Sequence, residues 1–476
     1  MLDRLVGMFS GRKAPPLEEA GRGVVASSRG NEAFARLNAV APLAIHVDGA
    51  CAGKPVERTD RDAVGERKTM VCREAVLGRD QRVSGYGFSL RSEVNRRVRA
   101  SSAHIQRLYD EVLVRNLQSM DVQRLLEHRL AFVALAASSL DKPLVEVLPP
   151  AGIVYVIGQD PQFATDAQAL RDGLARLKSL GYQVGLQGVD IDRPGMPPCV
   201  ELADFLSLDI GGSSIPGIAD QMRLAARLAP KIRFLATNLR TLEEFGVCAK
   251  LPFSHFQGPF ITHREKWEAP RMDAGRIKVL ELLNKVRGFA EVAELAALFK
   301  QAPALSFKLL RYANSPGVGL THKVGTLEQA LMVLGRLKLY RWLTLLLFTS
   351  GETRELDLAL LENALVRARL AELAGRERLP PEERDELFVT GVFSLLDVLM
   401  DTPMEAVLKQ VSLPAAVQEA LLNRAGKYAP YLELAIACEQ SDGAGMEALS
   451  ESVGLQAGQV NGLHIDALLW AQQVKE

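Results

Sequence analysis

Apolar positions change their spacing partway along the chain. From Thr69 to Ile261 short apolar runs alternate with stretches in which apolar residues recur every three or four positions. The short runs predict strands at 70–75, 82–90, 131–136, 153–157, 183–186, 205–209 and 232–236, with a short one near 255–257. The longer period predicts helices at 103–117, 165–180, 218–228 and 242–249. LKSLGYQVGL shows the repeating unit, since a helix ends at Gly181 and a strand starts at once. Strand after helix after strand predicts a parallel sheet, either closed into a barrel or doubly wound.

Beyond a polar connector at 264–270 the pattern is helix after helix. Ile277, Leu280, Leu283 and Val286 make one apolar stripe, and Leu305, Leu309, Leu310 and Ala313 a second. Leu327, Leu331 and Leu334 lead into an apolar helix ending near Phe348. Further helices are expected at 355–374, 383–400, 404–411, 414–423 and 432–439. Pro380, Pro381 and Pro414 stand where helices should start. This reads as an all-α domain with short loops. Residues 1–68 differ from both regions. Leu2, Leu5, Val6 and Phe9 fall near helical spacing before GRKAPP breaks it, and Arg, Gly, Ala and Ser follow. The expected division is a flexible tail at 1–68, an α/β domain at 69–263 and a helical domain at 264–476. Residues 2–9 are expected to dock, if at all, on a partner or membrane surface, being too short for a stable isolated helix.

Composition adds exclusions. Hydrophobic residues make up 48% and charged residues 24%, which suits a globular protein with real cores. The formal net charge is zero, so no global field recruits nucleic acid, and none is expected as a partner. Arg336, Lys338 and Arg341, with Tyr340 and Trp342, are read as a solvated helix face. No apolar run approaches the roughly 18 residues of a spanning helix, and the segment from Trp342 to Phe348 reads as core. The five cysteines never form a CxxC pair, which argues against a disulfide framework or a thiolate zinc site and places the chain in the cytoplasm. HExxH, GxSxG and Walker A patterns are absent.

Two stretches resemble known families. ALSFKLLRYANSPGVGL from Ala304, LEQALMVLGRLKLYRWLTLLLF from Leu327, LFVTGVFSLLDVLM from Leu387 and ALLNRAGKYAP from Ala420 resemble the HDOD domain, a helical relative of HD phosphohydrolases without their metal ligands. QAPAL at 301–305 lacks the acidic residue that commonly precedes the proline in HDOD domains. In front of it, GYGFSLR from Gly85 resembles the GYEALLR of EAL domains. LKSLGYQVGLQGVD, ADFLSLDI and FSHFQGPFI resemble their later landmarks in order. The implied fold is a TIM-like α/β barrel followed by an HDOD helical domain, an arrangement of bacterial signalling proteins.

The resemblance implies a paired-cation site whose residues this chain replaces. The glutamate of GYEALLR corresponds to Gly87. The paired aspartates of the family correspond to Gln187 and Gly188, its lysine to Ser207, and the glutamate on the seventh strand to Thr237. Hard divalent cations need several carboxylate oxygens, and these residues supply none. Arg91, Asp209, Gln257 and Gly258 survive as residual ligand-binding residues. With Arg73-Glu74 replacing the Gln-Pro that opens the family's first strand, cyclic di-GMP binding is doubtful on this reading. The expectation is therefore a protein that is not an enzyme, needs no cofactor or metal, and acts as a signalling adaptor through unidentified protein partners. Motility, pili, biofilm and stress are the regulatory contexts implied. A cyclic di-GMP receptor without hydrolysis is the alternative, and a homo-oligomer stays open.

Overall fold

The computed structural model describes residues 69–90, 103–126, 129–158, 166–211, 214–264, 266–267, 274–315, 322–351, 354–439 and 446–475. The tail with residues 2–9, and Arg91, lie outside them. Eight strands close into a barrel in sequence order: β1 (Cys72–Gly78), β2 (Val83–Ser89), β3 (Leu130–Ala136), β4 (Ile153–Gly158), β5 (Gln183–Gln187), β6 (Phe205–Asp209), β7 (Arg233–Thr237) and β8 (Phe253–Gln257). Helices α1 (Ala103–Ser119), α2 (Ala167–Ser179), α3 (Pro197–Leu202), α4 (Ile215–Leu228) and α5 (Leu242–Ala249) fill the crossovers.

One departure from the expected parallel sheet matters. β1 runs antiparallel to both β2 and β8, while β2 to β8 are parallel. Only four residues separate β1 from β2. Such a link makes a hairpin and is too short for the crossover that parallel neighbours need. The start of β1 therefore lies at the same end of the barrel as the ends of β2 to β8. Val76, Phe132, Val154, Val156, Phe205 and Leu235 point inward and form an apolar plug below that end. Period-two alternation then aims Glu74, Gly87, Gln187, Ser207, Thr237 and Gln257 into the mouth above the plug.

The helical part comprises α6 (Ala274–Arg287), α7 (Val292–Lys300), α8 (Pro303–Ala313), α9 (Leu327–Thr349), α10 (Glu355–Ala374), α11 (Pro381–Phe393), α12 (Leu396–Met400), α13 (Met404–Leu408), α14 (Ala415–Asn423), α15 (Ala429–Glu439), α16 (Met446–Ser452) and α17 (Ala457–Lys475). The helix expected at 383–400 is two helices, α11 and α12. The helix α9 contains a break at Gly335, whose φ is 67°. The expected stripe on α6 is shifted, because Ile277 is 49% exposed while Arg276 is buried. Arg276 turns inward to pair with Asp357 at 3.1 Å, so a charge partner rather than apolarity sets that face. The basic-aromatic cluster on α9 is split, with Arg336 on the exposed side as expected and Arg341 and Trp342 turned inward. Trp342 is buried, and Arg341 lies over the Phe388 ring while bonding Glu372 at 3.0 Å and Asp385 at 2.6 Å.

The outer face of the β1–β2 hairpin is covered by α10, α15 and α17. Arg73, 2% exposed, donates from Nε to His464 Nε2 at 3.1 Å and from Nη1 to Asn363 Oδ1 at 3.2 Å. Its Nη2 faces Glu439 Oε1 at 3.7 Å, and Arg367 binds the other oxygen of Glu439 at 2.8 Å. Tyr86 donates to Glu362 at 2.6 Å, and Arg129 pairs with the same carboxylate at 3.2 Å. Asn461 on α17 accepts from the Val71 amide at 3.0 Å and donates to the Thr69 carbonyl at 3.1 Å.

Removing one member of a buried charge group leaves the others without compensation. Glu439→Leu should strand the guanidinium groups of Arg73 and Arg367 together. Urea unfolding of that variant is expected to show a loss of about 3–5 kcal/mol. A loss below about 1 kcal/mol, the scale of an exposed ion pair, would refute this account of the interface.

Candidate functional site

The mouth of the barrel opens into a cavity of about 720 Å³. Its wall brings together Gly87, Gln187, Ser207, Asp209, Thr237, Gln257 and Gly258, so most of the residues singled out in the sequence do converge. Gly188 follows β5 as an exposed residue outside that wall. Asn363 and Glu439 also line the cavity, and these come from the helical domain.

Glu74, read in the sequence only as part of the Arg73-Glu74 replacement, also lines the mouth. It is the direct cross-strand partner of Gly87. Gln257, reaching over from β8, donates from Nε2 to Glu74 Oε2 at 2.6 Å. That amide passes so close to Gly87 that a Cβ there would lie 2.6 Å from Gln257 Nε2. The bare glycine thus makes room for a hydrogen bond between the first and last strands, across the closing seam of the barrel. A carboxylate is still present at this corner, carried by β1 instead of β2. Burial holds the Glu74 carboxyl above its ordinary range, and the bond from Gln257 opposes that rise. The sequence signal was available, since a glutamate at the start of a barrel strand, two positions from an inward apolar residue, shares its inward face.

Asp209 stands exposed at the end of β6. Its Oδ1 accepts from the Gly211 amide at 3.0 Å and from Asn238 Nδ2 at 3.2 Å, which ties down the loop after the strand. Thr237, beside it in register, donates to the Leu208 carbonyl at 3.2 Å. Ser207 is buried, and its hydroxyl has no hydrogen-bond partner among the described residues. Gly258 has a backbone reason of its own. Its φ is 154°, and a Cβ would lie 2.0 Å from the Leu239 carbonyl oxygen, so the two backbones meet there.

The donor set at the mouth does not fit a pair of hard divalent cations. Glu74 is bonded to Gln257, Asp209 is committed to the loop after β6, and Gln187, Ser207 and Thr237 are neutral. Among the described residues no group of three or more His, Cys, Asp or Glu converges as a metal centre would require. Nor is any helix among them long and apolar enough to cross a membrane.

The model of the HDOD domain matches residues 276–411. The chain carries an HDOD domain. It is 25% identical over 410 residues to the cyclic di-GMP phosphodiesterase CdgJ of Vibrio cholerae, covering 85% of this chain and 93% of that one. It is 24% identical to the uncharacterized protein YuxH of Bacillus subtilis, over 77% of this chain and 90% of that one. Among solved structures, the Bacillus subtilis YkuI protein, with an EAL domain and in complex with cyclic di-GMP and calcium, matches at 17% identity and a TM-score of 0.34. That match covers 41% of this chain and 55% of that chain. A standalone EAL protein of Vibrio cholerae, in its cyclic di-GMP bound form, matches at 13% identity and a TM-score of 0.32, covering 41% of this chain and 91% of that one.

These findings agree with the recognition of an HDOD domain behind a closed α/β barrel. They correct two expectations. The expectation that the chain is not an enzyme is overturned by CdgJ, which is named a phosphodiesterase and aligns with 85% of this chain. The expectation that cyclic di-GMP is a doubtful ligand loses its support on the same ground. The first expectation rested on lost carboxylates at family positions, and the second also on Arg73-Glu74 in place of the family's Gln-Pro, where Glu74 was counted as a departure and not as a carboxylate at the mouth.

The raised pKa of Glu74 has a testable sign. Between the ordinary value near 4.5 and the higher folded value, the folded state keeps a proton that the unfolded chain has released. Stability therefore falls as pH rises through that window and levels off above it. Glu74→Gln should remove this slope, so its urea midpoint should gain on the wild type as pH rises from acid to neutral. Parallel profiles for the two proteins would show that Glu74 titrates normally.

Proposed function

We propose that the chain acts in cyclic di-GMP signalling, with the dinucleotide entering the barrel mouth and the outcome passing through the HDOD domain to protein partners. One observation carries this reading. The mouth cavity is walled by Asp209, Gln257 and Gly258 of the barrel and by Asn363 and Glu439 of the helical domain, so a ligand there touches both parts at once. A volume of about 720 Å³ falls within the usual range for small-molecule sites. The similarity to CdgJ over most of both chains supports the choice of ligand. In this reading Gln257 and the Gly258 turn face the ligand, and Arg73 borders the cavity where the two domains meet.

Calorimetry of the full chain with cyclic di-GMP, with and without magnesium or manganese, tests the reading, and chromatography of the same samples detects any linear product. Saturable binding is expected, weakened roughly ten-fold by Gln257→Ala, the scale of one hydrogen bond to a charged group. Absence of saturable heat in the wild type under all of these conditions would end the proposal.

A further inference from the structure

A second cavity, of about 470 Å³, lies in the HDOD domain away from the barrel mouth. It is built from the starts of α6 and α8 and the turn after α9. The first turn of α8 is open. Ala302 occupies its N-cap and offers no capping side chain, and Pro303 has no N–H. The amides of Ala304 and Leu305 come next in this first turn, whose N–H groups have no intrahelical acceptor. Both residues line the cavity.

Three further groups point the same way. Ser350 is 4% exposed and lines the cavity, yet its hydroxyl has no hydrogen-bond partner among the described residues. Lys308 lines it as well and reaches the Thr349 carbonyl at 3.3 Å. Lys278 stands on the opposite wall, where it bonds Glu281 at 2.8 Å and Gln301 at 3.1 Å. The cavity thus presents amide, hydroxyl and ammonium donors, and among the described residues no carboxylate lines it. Burial brings the Lys308 ammonium down to about 8, which an anion beside it would reverse.

We propose that this cavity is an oxyanion site that takes a small phosphate-bearing ligand. The uncapped helix end supplies directed amides and a partial positive charge, Ser350 a buried donor, and Lys308 the balancing charge. An acidic N-cap would fill the same amides from within the chain, so Ala302 keeps the site available. The inference is independent of what binds at the barrel mouth.

Calorimetry of the full chain in chloride buffer, with inorganic phosphate as the probe, tests it. Saturable binding at low-millimolar phosphate is expected, weakened about ten-fold or more in Lys308→Gln, the scale of one charge-assisted hydrogen bond. Ala302→Asp is the sharper variant. It caps α8, so its urea midpoint should not fall, while its carboxylate occupies the amides and repels the anion, so phosphate binding should disappear. A second arm with a phosphate monoester distinguishes the source of the phosphoryl group. Tighter monoester binding assigns the site to a metabolite, and tighter inorganic phosphate assigns it to the free ion. No saturable binding of either probe to the wild type, or wild-type binding in both variants, would overturn the proposal.

Discussion

The arrangement depends on one guanidinium placed where an apolar residue would ordinarily go. Arg73 sits on the outer face of β1, 2% exposed, and is held by His464, Asn363 and Glu439 from three different helices. A buried cation of this kind is costly unless its partners are in position. The barrel and the helical domain therefore cannot slide over one another as two apolar surfaces could. The same residue borders the mouth cavity, so the contact that fixes the domains also shapes the pocket they share.

The mouth shows how a site can change its chemistry without changing its frame. The eight strands still deliver inward residues to one layer above an apolar plug. Within that layer the acidic group stands on β1 at Glu74, opposite the glycine on β2, and the space above the glycine is taken by the amide of Gln257. What would be an open corner becomes a closed seam between the first and last strands. Electrostatics at the mouth are then set by few charges, with Glu74 and Asp209 both engaged in hydrogen bonds.

Much of the barrel was legible because short apolar runs bounded by glycine and proline have few other readings. All eight expected strands appear, displaced by a few residues at their ends, and α5 is found at its expected residues. The direction of β1 was legible only through the length of the link to β2. The helical domain was harder. On α6 the residue that turns inward is an arginine, and its partner Asp357 is 81 positions away. The helices α16 and α17 were not anticipated; along α17, Asn461 and His464 interrupt the apolar pattern where it meets Thr69, Val71 and Arg73. In the site, lost family residues were easy to see, and Glu74 was seen only as one more departure, since its part at the mouth comes from Gly87 and Gln257 on the neighbouring strands and not from a motif.

The clasp between Asn461 and the backbone of Thr69 and Val71 joins points 390 residues apart. During synthesis the opening strand of the barrel emerges long before that asparagine exists. Its hydrogen bonds to β8 must also wait for about 180 intervening residues. The nascent chain thus carries an unpaired β1 edge until β8 emerges, and truncation upstream of β8 would leave that edge open to pairing with other chains, whereas loss of α17 alone would uncover the outer face of β1 around Arg73.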